Sequence, residues 1–227
     1  MKPPKFYRLF DYDRSRLPNA HLRSLEEGVA DLETARLRSG LTIGYPGWSL
    51  IYDLAVSAID PDSENVIVET GSNWGCTTIV LAQALIDRKA RGHVWTVEID
   101  PENAARARQN YETAGVADRI TLVEGDAKST VAGLVKDLAP LRFAFLDGCH
   151  LHDDVVIEFE GVVDHLAPGA LVVFDNTYQI AEPHEDQRVN GALKTIVSRH
   201  GGNLINFPFV SWYTPGVAIW QKAPFPA

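Results

Sequence analysis

The sequence is poor in cysteine and in positive charge, and it has no long apolar run. Its two cysteines, Cys76 and Cys149, stand far apart in 227 residues, which excludes both a disulfide framework and a zinc motif. Free thiols in a reducing compartment are the expectation. Lys and Arg number 21 against 30 Asp and Glu, a net charge of -9, and a field of that sign repels phosphate backbones. Nucleic acid is therefore not an expected partner. Nowhere do about 18 apolar residues run together, so no membrane span is expected either. The opening stretch MKPPKFYRLFDYDRS lacks an apolar h-region and a small-residue cleavage signal, and the chain reads as cytoplasmic. Internal repeats and low-complexity tracts are absent too.

What is present is a core-forming composition, 45% hydrophobic, in a length that suits one domain with appended segments. From Val66 onward, short β-branched runs alternate with segments of helical period, the pattern of βα units feeding a mostly parallel, doubly wound sheet. Strands are predicted over 66–69, 94–99, 120–124, 143–147 and 171–175, with helices over 77–88, 101–114, 129–138 and 154–166. Pro101 after Asp100 reads as N1 behind an N-cap, Gly115 as a C′ glycine, and Pro168-Gly169 as a turn into the next strand. A helix over 190–200 and two late strands, 203–207 and 217–221, suggest an antiparallel hairpin at the sheet edge. Residues 1–60 form an N-terminal helical or lid segment, with one amphipathic helix over 22–38, a loop over 43–48 and a helix over 50–59; residues 61–227 form the α/β domain. The N-terminal helix also makes a homodimer a candidate assembly.

Three constellations carry chemistry. In VIVETGSNWGCTTIVLAQAL, an apolar strand ends at Glu69 and passes through Gly71, Ser72, Trp74 and Gly75 into a helix, the first βα loop where open sheets cradle ligands. Its Gly-x-x-x-Gly spacing is not the Gly-x-Gly-x-x-Gly of dinucleotide binders, which argues against a nicotinamide oxidoreductase. The plainer reading is a glycine turn that only permits close packing. Glu98, ending the second strand, suits the two hydroxyls of a ribose, and Asp126 adds a polar group at the same rim, though either residue also fits a strand-end or turn role. In FAFLDGCHLHDDV and LVVFDNTY, two neighbouring strands deliver Asp147 and Asp175, with Asn176 next in sequence. Two carboxylates and an amide oxygen match the oxygen preference of Mg²⁺, and His150 is placed to take a proton. Asp153 reads as the N-cap of the following helix. Tyr45, Trp48, Trp74, Tyr178, Trp212 and Tyr213 are candidates for an acceptor pocket.

Taken as a set over 66–178, Glu69, Gly71, Gly75, Glu98, Asp126 and Asp147 resemble the successive motifs of class I S-adenosylmethionine-dependent methyltransferases. The stretch from Asp147 resembles the Asp-Gly-x-His-x-Tyr pattern of a bacterial subgroup that includes sugar and natural-product O-methyltransferases. Asp147, Asp175 and Asn176 resemble the metal triad of the catechol and caffeoyl-coenzyme A O-methyltransferases. The resemblance implies a Rossmann-like seven-stranded sheet, S-adenosylmethionine over the first two strand ends, and Mg²⁺-assisted attack on its methyl group. Departures exist: His150 stands where catechol-type enzymes carry Lys, and Cys149 and His152 where the bacterial pattern has Asp and Tyr. Many sugar-directed relatives have Asp at the place of Asn176.

The resulting expectation is an O-methyltransferase acting on a hydroxyl of a small molecule. Gly71, Ser72, Trp74, Gly75, Glu98 and Asp126 hold the donor, together with Glu69 at the head of the loop. Asp147, Asp175 and Asn176 hold Mg²⁺, and Asp147 and His150 are the catalytic pair. The rival readings are a metal-independent methyltransferase, a nicotinamide-dependent oxidoreductase and a non-catalytic adenosyl-binding module.

Overall fold

The computed structural model describes residues 14–40, 42–177, 184–207 and 216–222. Seven strands form one sheet: β1 (Asn65–Thr70), β2 (Gly92–Glu98), β3 (Ile120–Glu124), β4 (Leu141–Leu146), β5 (Leu166–Asp175), β6 (Asn203–Phe207) and β7 (Val217–Gln221). The helices are α1 (Ala20–Glu26), α2 (Leu32–Ser39), α3 (Gly44–Ala58), α4 (Cys76–Asp87), α5 (Pro101–Ala114), α6 (Ala127–Val135), α7 (His152–Val163) and α8 (Val189–His200). No helix among the described residues is long and apolar enough to cross a membrane.

Strand order is β3-β2-β1-β4-β5-β7-β6; β1 to β5 pair in parallel, and β7 runs antiparallel to both β5 and β6. The expected edge hairpin is therefore present, with β7 inserted between β5 and β6. Because strand side chains alternate faces, the apolar residues divide into two layers. Ile67, Phe143, Phe145 and Val173 pack with Trp48, Ile51, Ile79 and Leu81 on one side. Val66, Val68, Ala144, Leu146, Val172 and Phe174 pack with Val131, Phe159, Val162 and Ile196 on the other. Leu17, Leu22 and Ile43 join the first layer, so the described part of the N-terminal segment shares the core of the sheet.

Local punctuation follows the sequence in several places. Asp100 caps α5 by accepting from the backbone of Glu102 and Asn103, Pro101 opens the helix, and Gly115 closes it at φ 71°. The Pro168-Gly169 pair is not a turn before β5 but a bulge within it: register passes from Leu141 opposite Leu166 to Phe143 opposite Leu171, with Gly169 at φ 76°.

Three N-terminal expectations are corrected. The stretch 22–38 is two helices, since Gly28 turns at φ 77° and Asp31 starts a new helix through a capping box with Thr34. The stretch 43–48 is not a loop: α3 begins at Gly44, and Pro46 lies in its first turn, where a missing N–H costs little. Trp48 is fully buried in the core and lines no acceptor pocket. Tyr178, Trp212, Tyr213 and the side chain of Tyr45 lie outside the described residues. Asp153 does not cap α7 either. Leu151 holds that position without a side-chain bond, while Asp153 sits exposed in the first turn beside the helix dipole's positive end.

Candidate functional site

Strand order reverses between β1 and β4, and ligands of open α/β sheets bind at such a switch point, beyond the carboxyl ends of the strands. A pocket of about 440 Å³ lies there. Its wall draws on the ends of all five parallel strands: Gly71 after β1, Glu98 on β2, Asp126 after β3, Asp147 and His150 after β4, Asp175 and Asn176 at β5. Seven residues singled out from the sequence are thereby brought together. Glu69, Ser72, Trp74 and Gly75 are not on the wall.

The alternation of β1 explains Glu69. Its side chain points to the α4 face, is fully buried, and accepts hydrogen bonds from Thr78 and, at 2.6 Å, from Thr96. Burial pushes its pKa up to about 8 against the pull of those two hydroxyls. Gly71 and Gly75 are needed for packing as well as for the turn. Both have positive φ, 74° and 79°. A Cβ on Gly71 would overlap the Asp147 carbonyl, and one on Gly75 would overlap the Tyr111 ring. Ser72 is buried behind the loop. The Trp74 indole donates to Asn103, a residue of the wall, at 3.2 Å, and Arg106 stacks on its ring.

Glu98 is buried, and its carboxylate organises two turns at once. One oxygen accepts from the Asn73 backbone at 2.6 Å and the other from the Asp100 backbone at 2.9 Å. Each oxygen keeps a further lone pair toward the pocket. Asp126 caps α6 by accepting from the Lys128 backbone at 3.1 Å. Lys128 pairs in turn with Asp154 at 3.1 Å.

At the other end, His150 Nε2 lies 3.1 Å from Asp147 Oδ1 and 3.1 Å from Asn176 Nδ2. Burial alone would lower the His150 pKa, but the hydrogen bond to Asp147 and the charges of Asp147 and Asp175 outweigh it and raise the imidazole above its usual value. Asp175 is buried, and desolvation together with the Asp147 charge holds its carboxyl well above the usual range. Its Oδ1 has no hydrogen-bond partner among the described residues. Asn176 takes a left-handed backbone at φ 54°, a conformation that Asn tolerates better than most residues, and this turns its amide back toward the pocket.

Among the wall residues that escaped the sequence reading is a buried carboxylate. Glu158, in the middle of α7, is almost fully buried, borders the pocket, and accepts a hydrogen bond from Thr70 at 2.6 Å. Burial pushes its pKa up to about 7. The signal was available, since Glu158 falls among Val155, Phe159 and Val162 on the apolar face of its helix.

Residues 68–177 match the family model described as "Methyltransferase domain". A protein-L-isoaspartate O-methyltransferase of Staphylothermus marinus is 35% identical over 99 residues, 41% of this chain and 44% of that one. The catechol O-methyltransferase of Sus scrofa is 29% identical over 125 residues, 53% of this chain and 64% of that one. The alignments thus span less than two thirds of either relative. Among solved structures, the O-methyltransferase TomG from Streptomyces achromogenes, in complex with S-adenosylmethionine, superposes with a TM-score of 0.71 at 21% identity, covering 95% of this chain and 92% of that one. That likeness concerns the fold. The family match lies across the β1 to β5 crevice, so residues 68–177 are similar to a methyltransferase domain over the part of the chain that builds the pocket.

Proposed function

We propose that the chain transfers the methyl group of S-adenosylmethionine to a hydroxyl of a small molecule, with Mg²⁺ held by Asp147, Asp175 and Asn176 and with His150 as general base. The observation that carries this reading is the make-up of one pocket wall, with Glu98 near one end and the Asp147, His150, Asp175 and Asn176 cluster at the other. Gly71 offers close backbone approach to the donor, Glu98 accepts from its ribose hydroxyls, and Asp126 stands at the adenine rim. Glu69, Ser72, Trp74 and Gly75 support the donor loop from behind. The sulfonium of the donor supplies an electrophilic methyl group, so the chain's task is to align an acceptor oxygen with it and keep water out.

The side chains suit a hard cation. Three oxygen-bearing groups meet at neighbouring strand ends, and the unpartnered buried Oδ1 of Asp175 is an atom that a cation satisfies. When bound, Mg²⁺ supplies positive charge that fixes an acceptor hydroxyl and lowers its pKa. His150 lines the same pocket and serves as the base for the hydroxyl proton, and Asp147, 3.1 Å from its Nε2, orients the imidazole.

Binding of S-adenosylhomocysteine by calorimetry and methylation of hydroxylated compounds, catechol among them, test the proposal. Asp175→Ala is expected to abolish turnover while leaving donor affinity within about threefold. No affinity for either the donor or its demethylated product would overturn the reading. A metal-independent reaction is the second reading, favoured by one observation: the Asn176 amide nitrogen faces both His150 and Asp175. Turnover unchanged by EDTA decides for it.

A further inference from the structure

Thr70 ends β1 with its side chain on the α7 face, in the row of Val66 and Val68. Its hydroxyl has one proton and two lone pairs, and the structure uses all three. The proton goes to Glu158 Oε2 at 2.6 Å, and the oxygen accepts the backbone N–H of Asp147 at 3.1 Å and of Gly148 at 3.2 Å. The acceptance of two amides by one hydroxyl requires that its proton point away from both. Glu158 fixes that direction. Gly148 makes room for it, since a Cβ there would lie 2.6 Å from Glu158 Oε1.

We infer that Thr70 and Glu158 are positioning residues that hold the Asp147–Gly148 turn in the pose the pocket requires. The inference rests on the reading of this pocket as the methyl-transfer site. Neither group need touch a reactant. Asp147 and Gly148 line the pocket, and the Asp147 carbonyl fills the space a Cβ on Gly71 would take, so a shift of the turn moves the donor loop as well. With the Thr70 hydroxyl removed, the Asp147 amide keeps only the Thr70 carbonyl at 3.2 Å, and the Gly148 amide loses the partner described for it.

The test compares Thr70→Val, Thr70→Ser, Glu158→Leu and Glu158→Gln by calorimetry with S-adenosylhomocysteine and by amide hydrogen exchange at residues 147 and 148. Thr70→Val and Glu158→Leu are expected to weaken binding at least tenfold and to speed exchange at both amides. Thr70→Ser and Glu158→Gln, which keep the hydroxyl and an acceptor oxygen, restore wild-type values within about threefold. Loss of affinity in Thr70→Val that Thr70→Ser fails to restore overturns the inference, as does wild-type affinity in both apolar variants. Fast exchange at both amides in the wild-type protein overturns it without recourse to any variant. If the wild-type protein itself has no affinity for S-adenosylhomocysteine, the proposed function falls and takes the clamp's role with it, whereas affinity that is indifferent to Thr70 and Glu158 removes the clamp alone.

Discussion

Glu158→Gln should make the protein more stable at pH 8 than the wild type, and much less so at pH 5. The folded protein binds the Glu158 proton more tightly than the unfolded chain does, because burial raises the carboxyl from 4.5 to about 7. The stabilising contribution is thus complete below pH 4.5 and is lost as pH climbs to about 7. At 1.36 kcal/mol per pH unit, the interval corresponds to about 3 kcal/mol as an upper figure, since relaxation around a buried charge reduces it. Glutamine keeps an acceptor for the Thr70 hydroxyl and never ionises, so it removes the loss without breaking the hydrogen bond. Glu69, raised to about 8, titrates in the same region, and Asp175 is raised as well. The informative quantity is therefore the difference between variant and wild type at pH 8 minus the same difference at pH 5. Urea unfolding followed by circular dichroism at the two pH values supplies it. A value near zero would refute the argument, because it would mean that the carboxyl is as easily ionised inside the protein as outside it.

Gly71→Ala combines a left-handed residue, about 1–2 kcal/mol, with overpacking against the Asp147 carbonyl, about 1–3 kcal/mol, and should cost about 2–5 kcal/mol in all. Thermal melts should show a drop of about 4–20 °C at 2–4 °C per kcal/mol for a chain of this size, and an unchanged midpoint would contradict the packing described. Glu98→Gln sets its amide NH2 against either the Asn73 or the Asp100 backbone donor, so calorimetry should find S-adenosylhomocysteine bound at least tenfold more weakly. Asp31→Ala removes the capping box of α2 and should cost about 0.5–2 kcal/mol in chemical unfolding with donor affinity unaltered. A large change in affinity there would place α2 in the binding site.

Much of this architecture was legible because its signals are local. Each βα unit announces itself by a short apolar run followed by a helical period, with Asp100 and Asp126 capping two of the helices, and the reversal after β5 shows as two late strands lacking a long helix between them. The strand ends were legible for the same reason, and Gly71, Glu98, Asp126, Asp147, Asp175 and Asn176 do meet at one pocket. What the pattern does not carry is facing. Glu69 precedes Gly71 by two residues, yet the pleat turns it toward α4, away from the ligand space. Trp74 and Gly75 lie in the turn just before α4, where they contact Asn103 and Tyr111 of α5. Glu158 was missed for the opposite reason: a carboxylate within an apolar helical face was read as part of the helix rather than as a buried group needing a partner. The N-terminal errors came from weak punctuation, since Thr34 completes a capping box more often built with Glu or Gln, and Pro46 marks a helix start as readily as a loop.

The contact between Gly71 and the Asp147 carbonyl means that main chain meets main chain at the base of the crevice. Trimming a side chain at that contact cannot widen the opening, because Gly71 carries none and the group it meets is a carbonyl. A variant enzyme that accepts bulkier partners would have to acquire its room further along the rim, leaving that contact as it is.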